Sequence, residues 1–161
     1  RIAYTAKSNR SNEIILERFC SIFQYEPVAF DTKDENDNTI YHTNVIMGLG
    51  TKYVLICLNM IVSDKRRDEI SNRLKESGRE IIDLSFEQIN NFAGNNLELT
   101  NNNGESILAI SKRAYDSLDS KQIETIKKYS KILPLEIPTI ELAGGSVRCM
   151  MAGIHLSKRK K

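Results

Sequence analysis

The stretch YVLICLNMIVSDKRRDEISNRLKESGREIIDL, residues 53–84, decides the fold class. Its first part, Tyr53–Leu58, is entirely apolar, which is typical of a strand buried on both faces. Asp64–Ser77 has helical spacing, begins with Ser63 or Asp64 as its cap, and stops at Gly78. Arg79–Leu84 is again a predicted strand. A strand, a helix and a second strand in one stretch predict an α/β protein.

The same order of elements is predicted upstream of this stretch. Ile2–Ala6 alternates as a strand does, and Ser11–Phe23 has helical spacing with Ser11 as its predicted N-cap. This helix places one set of apolar side chains on a single side, namely Ile15, Phe19, Ile22 and Phe23. The N-terminal part therefore repeats the strand–helix order.

Further elements follow the repeated order along the chain. Ser85 and Gln88 have the spacing of a capping box, and the turn NNNG at 101–104 predicts a hairpin. The other predicted elements are a strand over Thr39–Gly48, a helix over 119–131, a strand ILPLEI at 132–137 and a last strand SVRCMMAGIHL at 146–156. The order of strand, helix, strand and hairpin occurs about three times along the chain. This predicts structural repeats at 1–50, 51–105 and 106–156, before a basic tail at 157–161.

Composition predicts one ordinary globular domain of 161 residues, 40% of them hydrophobic and 27% charged. The net charge of +2 comes from the C-terminal run, because 19 basic residues face 21 acidic ones when Lys158, Arg159, Lys160 and Lys161 are left out. One basic run without interleaved aromatic residues is a weak signal for nucleic acid. No apolar run has the length of a membrane helix. Three cysteines without metal-site spacing favour a reduced, cytoplasmic setting with no metal and no cofactor.

His42 and Asn44 are the first candidate site residues. If Thr39–Gly48 is a strand, Ile40, His42, Asn44 and Ile46 share one face. A polar pair on an apolar strand needs hydrogen-bond partners or a water-filled cleft. Taken alone, however, His42 is also compatible with a satisfied histidine in the core.

Cys149 is the second candidate, in GGSVRCMM at 144–151. A free cysteine is usually a small hydrophobic residue, but Gly144 and Gly145 permit a backbone geometry or ligand approach that side chains would block. On an ideal strand Cys149 shares a face with Val147 and Met151. Cys20 and Cys57 have apolar surroundings and are predicted to pack. A Cys149–His42 pair would give a nucleophile and a base.

Three motifs carry a resemblance to a known family, namely YHTNV at 41–45, EQINNFAGNNLEL at 87–99 and IELAGGSVRCMMA at 140–152. Together and in this order they resemble the amidinotransferase branch of the guanidine-modifying superfamily, the penteins. More narrowly, they are similar to the bacterial citrulline-utilisation hydrolase group. The resemblance covers essentially the whole chain.

The resemblance implies a fold and a reaction. Penteins are α/β propellers of five ββαβ-type modules, so the chain would be a partial propeller of about three modules, the C-terminal portion of one pentein domain. Cys149 and His42 match the family's catalytic cysteine and histidine. Cys149 would attack a guanidino or ureido carbon to form a covalent adduct, with His42 transferring protons. Asn44, Gly144, Gly145 and Ser146 are the predicted substrate-binding residues.

The sequence departs from the family pattern at three places. The acidic residue that anchors the guanidinium in relatives would lie before Arg1, Gly153 replaces a usual glutamate, and Ala143 stands where many relatives have arginine. The substrate, arginine-like or citrulline-like, therefore stays open. The N-terminal part of the same protein is an expected partner, a homo-oligomer is possible, and the chain alone is expected to be inactive. A catalytically inactive binding or assembly module is the alternative, and a basic-tailed nucleic-acid binder ranks last.

Overall fold

The structure is a computed structural model, and it describes residues 1–153. Within these residues, eight strands form three small sheets. The strands are β1 (Ile2–Ala6), β2 (Glu26–Phe30), β3 (Met47–Leu49), β4 (Tyr53–Ile56), β5 (Glu80–Asp83), β6 (Leu97–Thr100), β7 (Ser106–Ser111) and β8 (Lys131–Leu135). The helices are α1 (Glu13–Phe23), α2 (Thr43–Ile46), α3 (Asp64–Glu76), α4 (Phe86–Asn90), α5 (Lys112–Ser117), α6 (Ser120–Lys127) and α7 (Pro138–Glu141). Two short 3₁₀ turns, Leu58–Met60 and Val147–Met150, complete the described elements.

Two of the sheets have the same topology. In each, an antiparallel strand precedes the central strand, and a helical connection leads to a third strand parallel to the central one: β3-β4-β5 and β6-β7-β8. The first sheet, within residues 1–153, has the parallel pair β1 and β2 without an antiparallel strand. The predicted α/β class is confirmed, while the number of propeller modules stays a prediction.

Local sequence signals set several helix ends. Ser63 caps α3 by accepting a hydrogen bond from the N–H of Arg66, and Gly78 follows the helix with a left-handed φ of 78°. Ser85 and Gln88 form the predicted capping box of α4. Asn12, rather than Ser11, caps α1, since its side chain accepts from the N–H of Ile14.

The predicted strand over Thr39–Gly48 is wrong in its central part, because Thr43–Ile46 form α2 and only Met47–Leu49 form a strand. Tertiary contacts stabilise this short helix. The Thr43 hydroxyl accepts the Ala6 N–H at 2.9 Å, and the main chain at Val45 packs so tightly against Gly94 that a Cβ there would lie 2.3 Å from the Val45 carbonyl oxygen. Strand periodicity therefore does not describe His42 and Asn44.

The last predicted strand is also wrong where the structure describes it. Residues Val147–Met150 form a 3₁₀ turn, so the predicted shared face of Val147, Cys149 and Met151 does not exist. Positions 154–156 of that predicted strand and the basic tail lie outside the described residues. The predicted helix over 119–131 is shorter, since β8 begins at Lys131, and α5 and α7 were not predicted.

The core lies around β4, whose four residues are all buried. It continues through Ile70 and Leu74 of α3 and through β7. The apolar side chains of α1 behave differently: Ile15, Phe19, Ile22 and Phe23 are exposed, while Cys20 is buried. Within residues 1–153 no element covers that side of α1. No helix of this part of the chain is long and apolar enough to cross a membrane.

Candidate active site

Cys149 lies in the 3₁₀ turn Val147–Met150 and is exposed, unlike Cys20 and Cys57. The two preceding glycines make this exposure possible in different ways. Gly144 has a left-handed φ of 87° that side chains rarely adopt. At Gly145, a Cβ would lie 3.0 Å from Cβ and 3.3 Å from Sγ of Cys149. Gly145 therefore leaves the sulfur room that a larger residue would remove, while Gly144 allows the backbone turn before it.

Two asparagine amides converge on this sulfur. Nδ2 of Asn95 lies 3.2 Å from Sγ, and Nδ2 of Asn44 lies 3.5 Å from it. The residues come from three distant segments, since Asn44 is on α2, Asn95 precedes β6 and Cys149 is near the end of the described chain. N–H donors aimed at a sulfur suit its anionic form, because an anion accepts a hydrogen bond more strongly than a neutral group does.

Asn95 is the residue that sequence reasoning missed. It is 2% exposed and uses its whole amide: Nδ2 also donates to the Asn44 carbonyl at 2.9 Å, and Oδ1 accepts the Arg148 N–H at 3.0 Å. The available signal was the pair Asn95–Asn96 directly after Gly94, within a segment flanked by apolar residues. A polar pair at such a place needs partners.

His42 precedes α2 as its N-cap residue and is half-buried. Its ring lies 5.1 Å from the ring of Tyr41, centroid to centroid. The Tyr41 hydroxyl donates to the Gly144 carbonyl at 3.0 Å, and the Arg10 guanidinium lies 5.3 Å from the Tyr41 ring. Tyr41 therefore links the His42 segment to the glycine turn before Cys149.

The predicted substrate-binding residues differ in their exposure. Gly144 is exposed, and Gly145 and Asn44 are half-buried. Ser146 is fully buried, and its hydroxyl donates to Oε1 of the buried Glu141 at 2.8 Å. Ser146 thus braces the turn from the interior, and its direct contact with a substrate stays a prediction.

A cavity of about 310 Å³ lies beside these residues. Its polar lining includes Tyr4, Asn44 and Arg148, and its apolar lining is Ile2, Met47, Leu49 and Leu97. Within residues 1–153, Oδ1 of Asn44 and the Tyr4 hydroxyl are buried without a hydrogen-bond partner. Burial raises the pKa of Tyr4, so its hydroxyl keeps its proton at neutral pH. The cavity is therefore lined by two side chains whose hydrogen-bonding atoms lack a partner within the described residues.

The other cysteines pack, as the sequence predicts. Cys20 is buried on α1 and Cys57 follows β4 in the core. Burial raises the pKa of the Cys57 thiol to about 11. Cys57 is therefore a neutral thiol at physiological pH.

Solved structures share this arrangement of sheets and helices. ArgZ, an arginine dihydrolase from the ornithine-ammonia cycle in cyanobacteria, superposes with a TM-score of 0.71 at 18% identity, over 92% of this chain and 22% of that chain. AgrE in complex with ornithine and NAD+ gives 0.73 at 18% identity, over 100% and 22%. The N-terminal domain of ArgZ bound to product gives 0.68 at 18% identity, over 92% and 50%. The chain thus spans about half of that domain.

The model of the family described as N,N dimethylarginine dimethylhydrolase, eukaryotic, matches residues 1–156. This match, together with the fold, defines the class as the guanidine-modifying superfamily, the penteins. The chain therefore belongs to that family, and the predicted superfamily is confirmed. No curated protein sequence matches the chain.

Proposed function

We propose that the chain carries the nucleophile of a cysteine-dependent hydrolase acting on the guanidino or ureido group of an arginine-like or citrulline-like small molecule. The observation that supports this best is the convergence of the Asn44 and Asn95 amides on the exposed sulfur of Cys149. A structural cysteine in this family's fold would need neither exposure nor two donors. Family membership supplies the class of carbon that the thiolate would attack.

The first half of the reaction forms the covalent adduct. The Cys149 thiolate attacks the central carbon of the guanidino group, and an S–C bond forms as the carbon becomes tetrahedral. His42 gives a proton to the departing nitrogen, so the C–N bond breaks and ammonia or an amine leaves. Asn95 and Asn44 keep the sulfur oriented through their N–H groups.

The second half releases the product. The neutral His42 takes a proton from water, whose oxygen attacks the same carbon, and the S–C bond breaks to return the thiolate. The product carries a ureido group when the substrate was a guanidine. If an amine attacked the same adduct in place of water, the reaction would be that of an amidinotransferase. The sequence predicts this reaction as the alternative to hydrolysis.

The cavity lined by Asn44, whose amide contacts Cys149, and by Arg148, the residue before Cys149, is the proposed substrate pocket. Oδ1 of Asn44 and the Tyr4 hydroxyl oxygen are buried acceptors without partners, and guanidino and ureido groups are rich in N–H donors. Arginine is the substrate named for ArgZ, and dimethylarginine is the substrate named for the matching family. Arginine, citrulline and methylated arginines are therefore the first compounds to assay.

The N-terminal part of the same protein is the proposed partner. The chain spans about half of the ArgZ N-terminal domain, and the sheet of β1 and β2 has two strands where the other two sheets have three. A further strand along β1 would also close the cavity, which Ile2 and Tyr4 of β1 line. We expect the isolated chain to turn over substrate poorly for this reason.

A catalytically inactive binding or assembly module is the second candidate. Its support is that Glu141, the carboxylate nearest to Cys149 in sequence, is buried and bonded to Ser146, so it does not offer a free anchor for a guanidinium. A Cys149 that reacts with alkylating agents but supports no turnover in the longer protein would favour this reading.

Release of ammonia, methylamine or dimethylamine tests the proposed function. The assay compares the 161-residue chain and a longer protein that includes an N-terminal part, with arginine, citrulline, agmatine and methylated arginines. Cys149→Ser should abolish turnover, and Cys20→Ser, which alters a buried cysteine outside the site, should retain it. Turnover that survives Cys149→Ser would overturn the mechanism.

A further inference from the structure

We infer that Asn95 is a positioning residue that holds the sulfur of Cys149 with a hydrogen-bond donor whose direction cannot reverse. The inference rests on the proposed function, in which Cys149 is the nucleophile. It assigns to Asn95 the task of favouring the reactive thiolate and of setting the distance between the Cys149 turn and helix α2.

The orientation of the Asn95 amide is fixed by main-chain groups on both sides. Its Oδ1 accepts from the Arg148 N–H, which can only donate, and its Nδ2 donates to the Asn44 carbonyl, which can only accept. Rotating the amide by half a turn would place Nδ2 against the Arg148 N–H, donor against donor. It would also place Oδ1 against the Asn44 carbonyl, acceptor against acceptor. The second hydrogen of Nδ2 is therefore left for the sulfur, 3.2 Å away.

Asn44 lacks this constraint. Its Nδ2 lies 3.5 Å from the sulfur, but its Oδ1 is buried without a partner among the described residues. No hydrogen bond of its Oδ1 among the described residues therefore fixes which end of the Asn44 amide faces the sulfur. Asn95 is the constant donor of the pair, and Asn44 is the adjustable one.

The same side chain joins the two halves of the site. Through the Arg148 N–H it holds the 3₁₀ turn that carries Cys149, and through the Asn44 carbonyl it holds α2, which begins directly after His42. Asn95 is buried, so solvent does not compete for these bonds. Removing the donor should slow the reaction of the sulfur, because the hydrogen bond to its anionic form is lost.

The test is the alkylation of Cys149 in the 161-residue chain as a function of pH. Asn95→Asp keeps the shape of the side chain and replaces Nδ2 by oxygen. The second-order rate constant with iodoacetamide, read by peptide mass spectrometry, should fall about tenfold near neutral pH. The difference should shrink in alkali, because the thiolate then forms without the donor.

Asn96→Asp is the matched control. Asn96 is the next residue, is also buried and also lines the cavity, but its Nδ2 donates to the Ala93 carbonyl at 2.7 Å rather than to the sulfur. It should leave the pH dependence at Cys149 unchanged. Cys57 in the same sample reports folding, because it stays unlabelled while the core is intact. If Asn95→Asp unfolds, Asn95→Leu removes the donor without adding charge.

Equal effects of the Asn95 and Asn96 substitutions, or an effect of Asn95→Asp that is the same at every pH, would overturn the inference. Alkylation requires no turnover, so this result is independent of the amine-release assay. Failure of that assay together with a pH-dependent Asn95 effect would refute the proposed reaction and leave the role of Asn95 standing.

Discussion

The three cysteines of the chain differ in what surrounds each sulfur. Cys57 is wholly enclosed by the core, and Cys20 is covered on α1, whereas Cys149 is exposed and receives two amide donors. Reactivity of a thiol depends on access and on the fraction present as thiolate. The residue environment therefore separates the proposed nucleophile from the packing cysteines.

Selective alkylation follows from this difference. Iodoacetamide near neutral pH should label Cys149 well before Cys57, whose pKa burial raises to about 11 and whose sulfur no reagent can reach in the folded chain. Peptide mass spectrometry over a time course measures both rates in one sample. Faster labelling at Cys57 or Cys20 would assign Cys149 to a structural role.

Gly145→Ala should lower the reactivity of Cys149. The new methyl group would lie 3.0 Å from Cβ and 3.3 Å from Sγ of Cys149, so the 3₁₀ turn has to move away from the amides. We expect a reduced alkylation rate with only a small change in the thermal unfolding temperature, since Gly145 lies near the surface. An unchanged alkylation rate would show that the turn accommodates the methyl group.

At the scale of elements, α2 and the Gly94–Asn95 segment form one packed unit. Gly94 lies against the Val45 carbonyl, and Asn95 bonds the Asn44 carbonyl next to it. This contact accounts for why residues predicted as a strand form a helical turn instead. It also places the Asn44 side chain beside the sulfur.

Gly94→Ala should therefore disturb the site as well as stability. Its Cβ would lie 2.3 Å from a main-chain oxygen, which cannot yield without moving α2. We expect a loss of about 1–3 kcal/mol in the free energy of unfolding and slower alkylation of Cys149. Gly104→Ala is the control, because a Cβ at this hairpin meets nothing within 4 Å and only its left-handed φ of 82° opposes the change. The control should lose stability without an effect on Cys149.

Cys57, the residue after β4, predicts that the folded chain loses stability at alkaline pH. Burial raises the pKa of Cys57 from 9.0 to about 11, so the folded chain binds the thiol proton more tightly than the unfolded chain. The resulting stability is fully present below pH 9 and is lost as pH rises toward 11.

Denaturant unfolding at several pH values measures this loss. The free energy of unfolding should fall more steeply with pH in the wild type than in Cys57→Ala, by up to about 1.4 kcal/mol per pH unit between the two pKa values. The variant loses stability at every pH because of the cavity, so the slopes are compared. Parallel slopes would contradict the assignment.

At the scale of the whole molecule, two features of the N-terminal sheet favour association: the edge of β1 that pairs with no strand within residues 1–153, and the exposed apolar side of α1. The Ala6 N–H points away from β2 toward Thr43, and alternation along a strand directs the N–H groups of Ile2 and Tyr4 the same way. Apolar side chains of α1, including Phe19 and Ile22, are also exposed. Unpaired edges and apolar surfaces favour association with another chain.

We expect the 161-residue chain to self-associate through this edge when the proposed N-terminal partner is absent. Ile2→Pro removes an outward N–H at the first residue of β1 and leaves the pairing with β2 intact. Light scattering after size exclusion should show a concentration-dependent mass for the wild type and a lower mass for Ile2→Pro. A wild-type chain that stays monomeric at high concentration would contradict this expectation.

The sequence by itself determined the features that depend on neighbours along the chain. The α/β class, the capping box of Ser85 and Gln88, the hairpin at 101–104 and the family motifs all rest on local patterns, and the structure and family match confirm them. The glycines before Cys149 were informative because backbone freedom is a property of single residues.

Tertiary structure alone decided the form of the site. Residues 43–46 turn into a helix because Ala6 and Gly94 contact them, and both lie far away in sequence. The bond from Asn95 to Cys149 joins positions 54 residues apart, and the contact from Asn44 spans 105. Local periodicity carries no information about such partners, since packing between distant segments selects the conformation whenever local propensities are weak.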